Sequence, residues 1–184
     1  MMDAFCDPQI EKVVIMSSSQ IGKTEILLNV IGYFIDQDPC PILVVHPTVE
    51  AVKTWSKDRL STMIRDTPCL KNKVFSPKAK SSDSTILHKV FKGGHITMVG
   101  ANSAAGLAMR PVRVVLMDEV DRFPLSAGAE GDPCRLAEKR ATTFWNRKIG
   151  IVSTPTLKGL SRVEKEYELS DKRRYFVPCP YCDH

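Results

Sequence analysis

Four short runs of β-branched and aliphatic residues constrain the fold of this chain more than any other feature. They lie at residues 13–16, 42–45, 112–117 and 148–152, and the first is followed by apolar residues at helical spacing, namely Ile26, Leu27, Val30, Ile31, Phe34 and Ile35. Strands that alternate with amphipathic helices form mostly parallel sheets covered by helices on both faces. The sequence therefore predicts an α/β fold with such a sheet at its centre.

The other segments fit the same architecture. Thr48 is expected to open a helix that ends before Pro68. The remaining expected elements, in chain order, are an exposed basic loop over 71–84, an inserted β-hairpin turning at Gly93 and Gly94, helices over 131–145 and 161–169, and a strand from residue 173. Trp55 and Trp145 lie on predicted helices, where we expect them to pack in the core or between subunits.

Composition restricts the class of protein further. A chain of 184 residues with 43% hydrophobic residues can bury one core, and its net charge of +5 permits a polyanionic partner. No run approaches the ~20 apolar residues of a membrane span, and the N-terminal residues lack the apolar stretch of a signal peptide. The six cysteines are scattered apart from one closely spaced pair, which favours a reducing compartment over a disulfide framework.

The loop after the first apolar run is similar to a phosphate-binding loop, whose pattern is Gly-x-x-x-x-Gly-Lys-Ser/Thr. The candidate nucleotide-binding residues here are Ser17, Ser18, Ser19, Gln20, Ile21, Gly22, Lys23 and Thr24. N–H groups at the start of the following helix favour an anion, the Lys23 ammonium can reach terminal phosphates, and the Thr24 hydroxyl can bind Mg²⁺. Ser17 replaces the first glycine, which is tolerated where the backbone needs no positive φ. The alternative is that Gly-Lys-Thr merely begins an ordinary helix.

A pair of acids, Asp118 and Glu119, follows the third apolar run, and parallel sheets bind ligands at the carboxyl ends of their strands. Asp118 is expected to hold Mg²⁺ through its water shell, and Glu119 to orient and polarise the water that attacks the γ-phosphate. Ser153 and Thr154, after the fourth run, are expected to hydrogen-bond that phosphate or water. The alternatives are a solvated acidic turn and a Ser/Thr turn before Pro155. Both motifs in this order predict an ATP–Mg²⁺ site on a P-loop NTPase fold.

Six separated blocks carry a family resemblance. They are VVIMSSSQIGKTE, IGYFIDQDPCPILVVHPT, SKDRLSTMIRDTP, VGANSAAGLAMRPVRVVLMDEVDR, EGDPCRLAEKRATTFWNRKIGIVSTPT and RRYFVPCPYC. In this order they resemble the large terminase subunit of tailed bacteriophages, of the GpA type, from about residue 7 to the C-terminus. In that family an N-terminal ATPase drives double-stranded DNA into a procapsid, and a metal-dependent nuclease follows.

The resemblance implies a motor domain in residues 1–170, and in residues 171–184 the start of a linker toward a nuclease domain that would follow. We therefore expect no nuclease activity in this chain. The implied partners are double-stranded DNA, the small terminase subunit, the portal and procapsid, and further copies in a homo-oligomeric ring. The implied setting is the cytoplasm of the bacterial host.

The resemblance also assigns roles to site residues. Lys23 and Thr24 bind phosphate and Mg²⁺, Asp118 assists the metal, and Glu119 is the catalytic carboxylate. The segment Ser153-Thr154-Pro155 matches the motif thought to couple hydrolysis to movement.

The sequence departs from the family inside the phosphate loop, where many terminases carry an arginine finger and Ser19 stands instead. An arginine must then come from elsewhere in the chain or from a neighbouring subunit. Arg110 is the first candidate, with Arg140 and Arg147 behind it; the alternative for each is a surface or salt-bridged arginine. Gln9 is a weak candidate for reading the adenine base.

The end of the chain carries a possible zinc half-site. Cys179 and Cys182 have zinc-knuckle spacing, with His184 as a possible third ligand. A structural zinc site needs four ligands, so the alternative is a disordered tail with two free thiols, and zinc binding is expected only in a longer form. The other histidines, His46, His88 and His95, are expected to be structural.

Two other functions remain open for the whole chain. One is a different DNA-dependent P-loop translocase, which would share the phosphate loop and acidic pair. The other is a remnant that binds nucleotide or partner proteins without turnover. Basic clusters at residues 71–80, 138–148 and 171–174 would suit contacts with DNA phosphates, although lysines on loops are commonly just solvated.

Overall fold

A six-stranded sheet in the order β1-β6-β5-β2-β4-β3 forms the centre of the computed structural model, which describes residues 2–75, 84–174, 176 and 178–182. The strands are β1 (Lys12–Met16), β2 (Ile42–His46), β3 (His88–Phe91), β4 (Gly94–Gly100), β5 (Val114–Asp118) and β6 (Lys148–Ser153). Neighbouring strands run parallel, apart from the antiparallel pair β3 and β4. This confirms the predicted α/β fold and its hairpin insertion.

Helices cover both faces of the sheet. They are α1 (Met2–Cys6), α2 (Lys23–Asp36), α3 (Val49–Trp55), α4 (Ser61–Asp66), α5 (Ala104–Ala108), α6 (Pro133–Glu138) and α7 (Arg162–Glu168). A π-helical segment, Ser56–Leu60, joins α3 to α4. Thr48 caps α3 by accepting a hydrogen bond from the Ala51 N–H at 3.2 Å, so the helix predicted from this residue is confirmed. Among the described residues, no helix combines the length and apolarity needed to cross a bilayer.

The core consists of two clusters separated by the sheet. Because side chains alternate along a strand, Ile42 and Val44 of β2 face the cluster built with α2 and α3, whereas Leu43 and Val45 face the one built with α5 and α6. The apolar face predicted for α2 is buried from Leu27 to Ile35, and Trp55 joins the same cluster. Both faces of the sheet are therefore covered, so a ligand of the sheet would approach it at the ends of the strands.

The helix predicted over residues 131–145 is shorter than expected. It begins as predicted, with Asp132 capping α6, but gives way to a 3₁₀ turn at Lys139–Ala141. The Thr142 hydroxyl donates a hydrogen bond to the Lys139 carbonyl at 2.9 Å, and this side-chain bond competes with continued helix. Trp145 therefore lies outside any helix with 87% of its surface exposed, and the prediction that it packs in the core of this chain was wrong.

Two other segments also differ from expectation. The predicted loop at 71–84 begins by pairing with the sheet, because Val74 bridges Phe91 and the Phe75 N–H donates to the Val90 carbonyl at 2.9 Å; residues 76–83 lie outside the described residues. The described part of the segment from residue 173 contains no strand. Pro178 and Pro180 lack the N–H that a ladder requires.

Candidate functional site

The loop between β1 and α2 lies at the carboxyl edge of the sheet. Gly22 caps α2 with a left-handed backbone (φ 86°, ψ 17°), a conformation that glycine adopts without strain. Ser17 is not among the described residues with positive φ, so serine at the first glycine position imposes no backbone strain. Its N–H donates to the Ser153 carbonyl at 3.3 Å. The loop thus starts against the end of β6 and finishes at an unpaired helix N-terminus.

The Lys23 ammonium folds back over this loop. It donates hydrogen bonds to the Ser18 carbonyl and to the Thr154 hydroxyl, the latter at 3.0 Å. The remaining loop residues, Ser19, Gln20 and Ile21, are exposed around it. A cation is thereby placed at the rim of the loop, between the ends of β1 and β6.

The Thr24 hydroxyl links the loop to the acidic strand, since it donates to the Asp118 carboxylate (Oγ1 to Oδ2, 3.4 Å). Only β6 separates β1 from β5 in the sheet, so Thr154 and Ser153 emerge between the two motifs. The structure therefore brings together the phosphate loop, the acidic pair and the hydroxyl pair predicted from the sequence. A hydroxyl and one carboxylate suit Mg²⁺, which keeps several waters and completes its octahedron with phosphate oxygens.

Asp118 is strongly desolvated, with only 4% of its surface exposed. Burial, and then the neighbouring Glu119 carboxylate, raises the pKa of Asp118 to about 6, against smaller lowering effects from Thr24 and Lys23. Removing the carboxylate from water disfavours its charged form. A divalent cation at this position would restore that form.

Glu119 has a backbone conformation that is unusual for a residue with a side chain. Its φ of 57° and ψ of 46° lie in the left-handed region, and such strain concentrates at functional sites. The Glu119 carboxylate pairs with Arg122, whose guanidinium lies 3.3 Å from Glu119 Oε2. Arg122 is not among the residues predicted from the sequence; its position three residues after Glu119 is the signal that could have pointed to it.

The segments that follow β5 and β6 are tied to each other. The Asp121 N–H donates to the Ser153 hydroxyl at 3.3 Å. The Asp121 carboxylate accepts from the Thr156 N–H and hydroxyl at 2.9 and 3.0 Å, and from the Val163 N–H at the start of α7 at 2.9 Å. These hydrogen bonds connect the ends of β5 and β6 to the start of α7.

The three candidate arginines do not join this group. Arg110 is exposed, and its charge lowers the pKa of His95 at the start of β4, after the larger effects of burial and His88. Arg140 donates to the Ala108 carbonyl at 3.1 Å, and Arg147 pairs with Glu11 at 2.7 Å just before β6. Each residue precedes a strand, and in a parallel sheet the segment entering a strand lies at the amino edge, opposite the site.

The cysteine pair is separate from the site. Cys179 is half-buried and Cys182 exposed, while His184 falls outside the described residues. Within those residues, no three side chains of the His, Cys, Asp or Glu type gather as a metal site requires. Gln9 makes a local bond from its N–H to Asp7 Oδ1 at 2.8 Å.

Sequence comparisons identify the family. The model of the phage terminase large subunit gpA, ATPase domain, matches residues 1–184. The chain is 31% identical to the terminase large subunit of Enterobacteria phage P21 and 29% identical to that of Escherichia phage lambda, over 98% of its length in both cases. It spans 28% of the length of each of these relatives.

Solved structures share the fold. The Large Terminase ATPase domain of Thermus Phage P74-26 matches with a TM-score of 0.62 and 16% identity, over 94% of this chain and 70% of that one. A large terminase from a thermophilic bacteriophage matches with a TM-score of 0.58 and 15% identity, over 79% of this chain and 34% of that one. At such low identity these similarities establish the architecture alone.

Proposed function

The chain belongs to the ATPase-domain family of the phage terminase large subunit gpA, and we propose that its site hydrolyses ATP to drive double-stranded DNA into a procapsid. The supporting observation is the junction at which Thr24 contacts Asp118 and Lys23 contacts Thr154. Residues 1–170 would form the motor, and residues 171–184 would begin the linker to a nuclease domain. Its setting would be the cytoplasm of the bacterial host.

Each residue of the junction has a distinct task in this proposal. The Lys23 ammonium exchanges its contact with Thr154 for the terminal phosphates of ATP. Thr24 and Asp118 would hold Mg²⁺, which would supply positive charge close to the phosphate oxygens. The N–H groups at the start of α2 bind phosphate oxygens without any side chain.

Glu119 is the proposed general base. Its carboxylate orients the attacking water and accepts a proton from it. To do so it must leave Arg122, and because that ion pair is solvent-exposed, separating it costs no more than about 1 kcal/mol. The resting arrangement is thus easily converted into the active one.

Ser153 and Thr154 are the proposed sensors of the γ-phosphate. Thr154 loses the Lys23 contact when nucleotide binds, and Ser153 hydrogen-bonds the segment that follows Glu119. Through the hydrogen bonds of Asp121, displacements of Thr154 and Ser153 would both reach α7. The linker would carry them onward to DNA-engaging parts of the protein.

The proposal includes a ring of identical chains working with the small terminase subunit and the portal. Arg110 is our candidate for completing the site of a neighbouring copy, because it is exposed and lies at the edge opposite its own site. Arg140 and Arg147 are weaker candidates, since both have partners within the chain.

A second candidate function is nucleotide binding without turnover, favoured by the pairing of Glu119 with Arg122 and by Ser19 in the loop.

Phosphate release with ATP and Mg²⁺, with and without double-stranded DNA, tests the proposal. We expect hydrolysis that DNA stimulates and that Glu119→Gln abolishes. Measurements should extend to high protein concentration, because assembly of a ring would be favoured there by mass action. Tight nucleotide binding with no phosphate release at any concentration would favour the second function instead.

A further inference from the structure

His46 lies beside Asp118, and the proposed nucleotide site gives it no role. It is the last residue of β2, which pairs in parallel with β5, and Val45 lies opposite Met117 in that register. The next residues along the two strands are His46 and Asp118. Since Val44 and Leu116 both face the cluster formed with α2, the alternation of side chains directs His46 and Asp118 to that same face.

The imidazole is buried and incompletely partnered. His46 is 5% exposed, and its Nε2 atom has no hydrogen-bond partner. Its ring lies 4.9 Å from the ring of Trp55 at a tilt of 48°, and the Trp55 Nε1 atom is also buried without a partner. A buried polar atom without a hydrogen-bond partner is destabilising, so two such atoms in one contact indicate a place that a ligand or its water completes.

Burial lowers the pKa of His46 to about 4, because removal from water disfavours the charged ring. A neutral imidazole offers one N–H donor and one acceptor nitrogen. It can therefore hydrogen-bond a carboxylate or a metal-bound water without adding a positive charge that would repel Mg²⁺.

His46 and His95 share an unpaired buried ring nitrogen but lie at different places in the sheet. His95 Nε2 is also buried without a partner. However, His95 lies near the start of β4, whereas His46 ends β2 at the edge where Asp118 ends β5. Of these two histidines, only His46 is adjacent to the proposed metal-binding carboxylate.

We propose that His46 is a positioning residue of the nucleotide site, whose imidazole fixes the Asp118 carboxylate and the waters that it shares with Mg²⁺. Trp55 packs against the ring and sets its orientation. The inference rests on the proposed function, because it requires a Mg²⁺–nucleotide complex at Asp118. Hydrogen-bonding partners of metal ligands typically change metal affinity by about 10- to 100-fold when they are removed.

The test measures nucleotide binding as a function of Mg²⁺ concentration rather than turnover. A fluorescent ADP is titrated into wild type, His46→Leu, His46→Gln and the matched control His95→Leu. We expect His46→Leu to raise the Mg²⁺ concentration needed for half-maximal enhancement of binding about 10-fold or more. Metal-free binding should remain within about twofold, and His46→Gln should recover most of the effect because its amide still hydrogen-bonds.

Several results would overturn the inference. If His46→Leu shows the same Mg²⁺ dependence of ADP binding as wild type, the inference is contradicted. It is also contradicted if His95→Leu raises the required Mg²⁺ concentration as much as His46→Leu does. If His46→Leu weakens metal-free ADP binding as much as Mg²⁺-dependent binding, the role of His46 is structural. If wild type shows no Mg²⁺-dependent binding at all, the proposed function itself fails, which distinguishes that failure from the failure of His46 alone.

A measurement on wild type avoids reliance on a variant that fails to fold. The chain has four histidines, so ¹⁵N-histidine spectra are simple, and His46→Gln and His95→Leu assign two of them. We expect the His46 ring signals to shift on adding ADP with Mg²⁺ and not with ADP alone, while the His95 signals stay in place. His46 ring shifts that are the same with ADP alone and with ADP plus Mg²⁺ would contradict the proposal.

Discussion

The two edges of the central sheet differ in how their charged groups are partnered. At the amino edge, several long cationic side chains have partners within the chain, although Arg140 Nε and His95 Nε2 are buried without one. The pairs are Lys12 with Glu138 and Glu166, Arg113 with Asp38, Arg147 with Glu11, and Lys148 with the carbonyls of Asp7 and Ile10. Arg113 also lies over the Phe34 ring at 5.4 Å. These contacts connect the amino ends of β1, β5 and β6 to the helices and loops beside them.

At the carboxyl edge the same chain leaves its groups poorly satisfied. Asp118 is buried and its hydrogen bond with Thr24 is long, at 3.4 Å. Glu119 has a left-handed backbone, and Ser17 Oγ and His46 Nε2 are buried without partners. Proteins retain such local defects where a ligand or a reaction requires them. The ion pairs of the amino edge therefore stabilise the fold, whereas the unsatisfied groups of the carboxyl edge support the proposal that a phosphorylated ligand and a cation bind there.

Substitution of the proposed base should have the largest effect on this contrast. Glu119→Gln should lower the ATPase rate about 10²- to 10⁴-fold, because the amide cannot accept the proton of the attacking water. Nucleotide binding should persist. Glu11→Gln at the amino edge is the control and should leave the rate per folded molecule unchanged. Near-normal hydrolysis by Glu119→Gln would remove Glu119 from the reaction.

Asp118→Asn should show a pH-dependent gain of stability. In wild type the pKa of Asp118 is raised from 3.8 to about 6 in the folded protein, so the folded state binds the proton more tightly than the unfolded state. Wild type therefore loses stability as the pH rises from about 4 through about 6, by roughly 3 kcal/mol in total. Denaturant unfolding at a series of pH values should show Asp118→Asn gaining on wild type over this window. A pH-independent difference between the two proteins would contradict the desolvation of Asp118.

Removal of an amino-edge cation should affect stability and spare the chemistry. Arg113→Met deletes the hydrogen bonds to Asp38, one of which measures 2.8 Å, and should cost about 1.5–3 kcal/mol. For a domain of this size we expect the melting temperature to fall by about 5–10 °C. The ATPase rate per folded molecule, measured below that temperature, should be unchanged. A specific loss of rate in the folded variant would undermine the division between the two edges.

Arg122→Ala should have the smallest effect, although it lies at the reactive edge. Both side chains of its pair with Glu119 are well exposed, so unfolding free energy should change by no more than about 1 kcal/mol. Since 1 kcal/mol is about a fivefold change in an equilibrium, we expect the ATPase rate to stay within about fivefold of wild type. A loss of 100-fold or more would instead make Arg122 part of the catalytic machinery.

Local signals in the sequence predicted the parts of this structure that depend on local physics. The Thr48 cap, the apolar face of α2 and the loop that joins β1 to α2 all follow from residue type and spacing. Trp145 lies outside a helix because the Thr142 side chain ends the helix early. The contact of Arg122 with Glu119 depends on the left-handed turn at Glu119, and the position of His46 beside Asp118 is set by the register of β2 on β5. Long-range register and backbone turns of this kind leave little trace in a single sequence.

A crystal structure with Mg²⁺ and a non-hydrolysable ATP analogue would show whether the β1–α2 loop and the acidic pair bind one nucleotide together. We expect one metal ion between the Thr24 hydroxyl and the Asp118 carboxylate, with the γ-phosphate at Lys23 and the contact from Lys23 to Thr154 broken. A nucleotide bound elsewhere, or a metal ion that touches the phosphates but neither Thr24 nor the waters of Asp118, would contradict it.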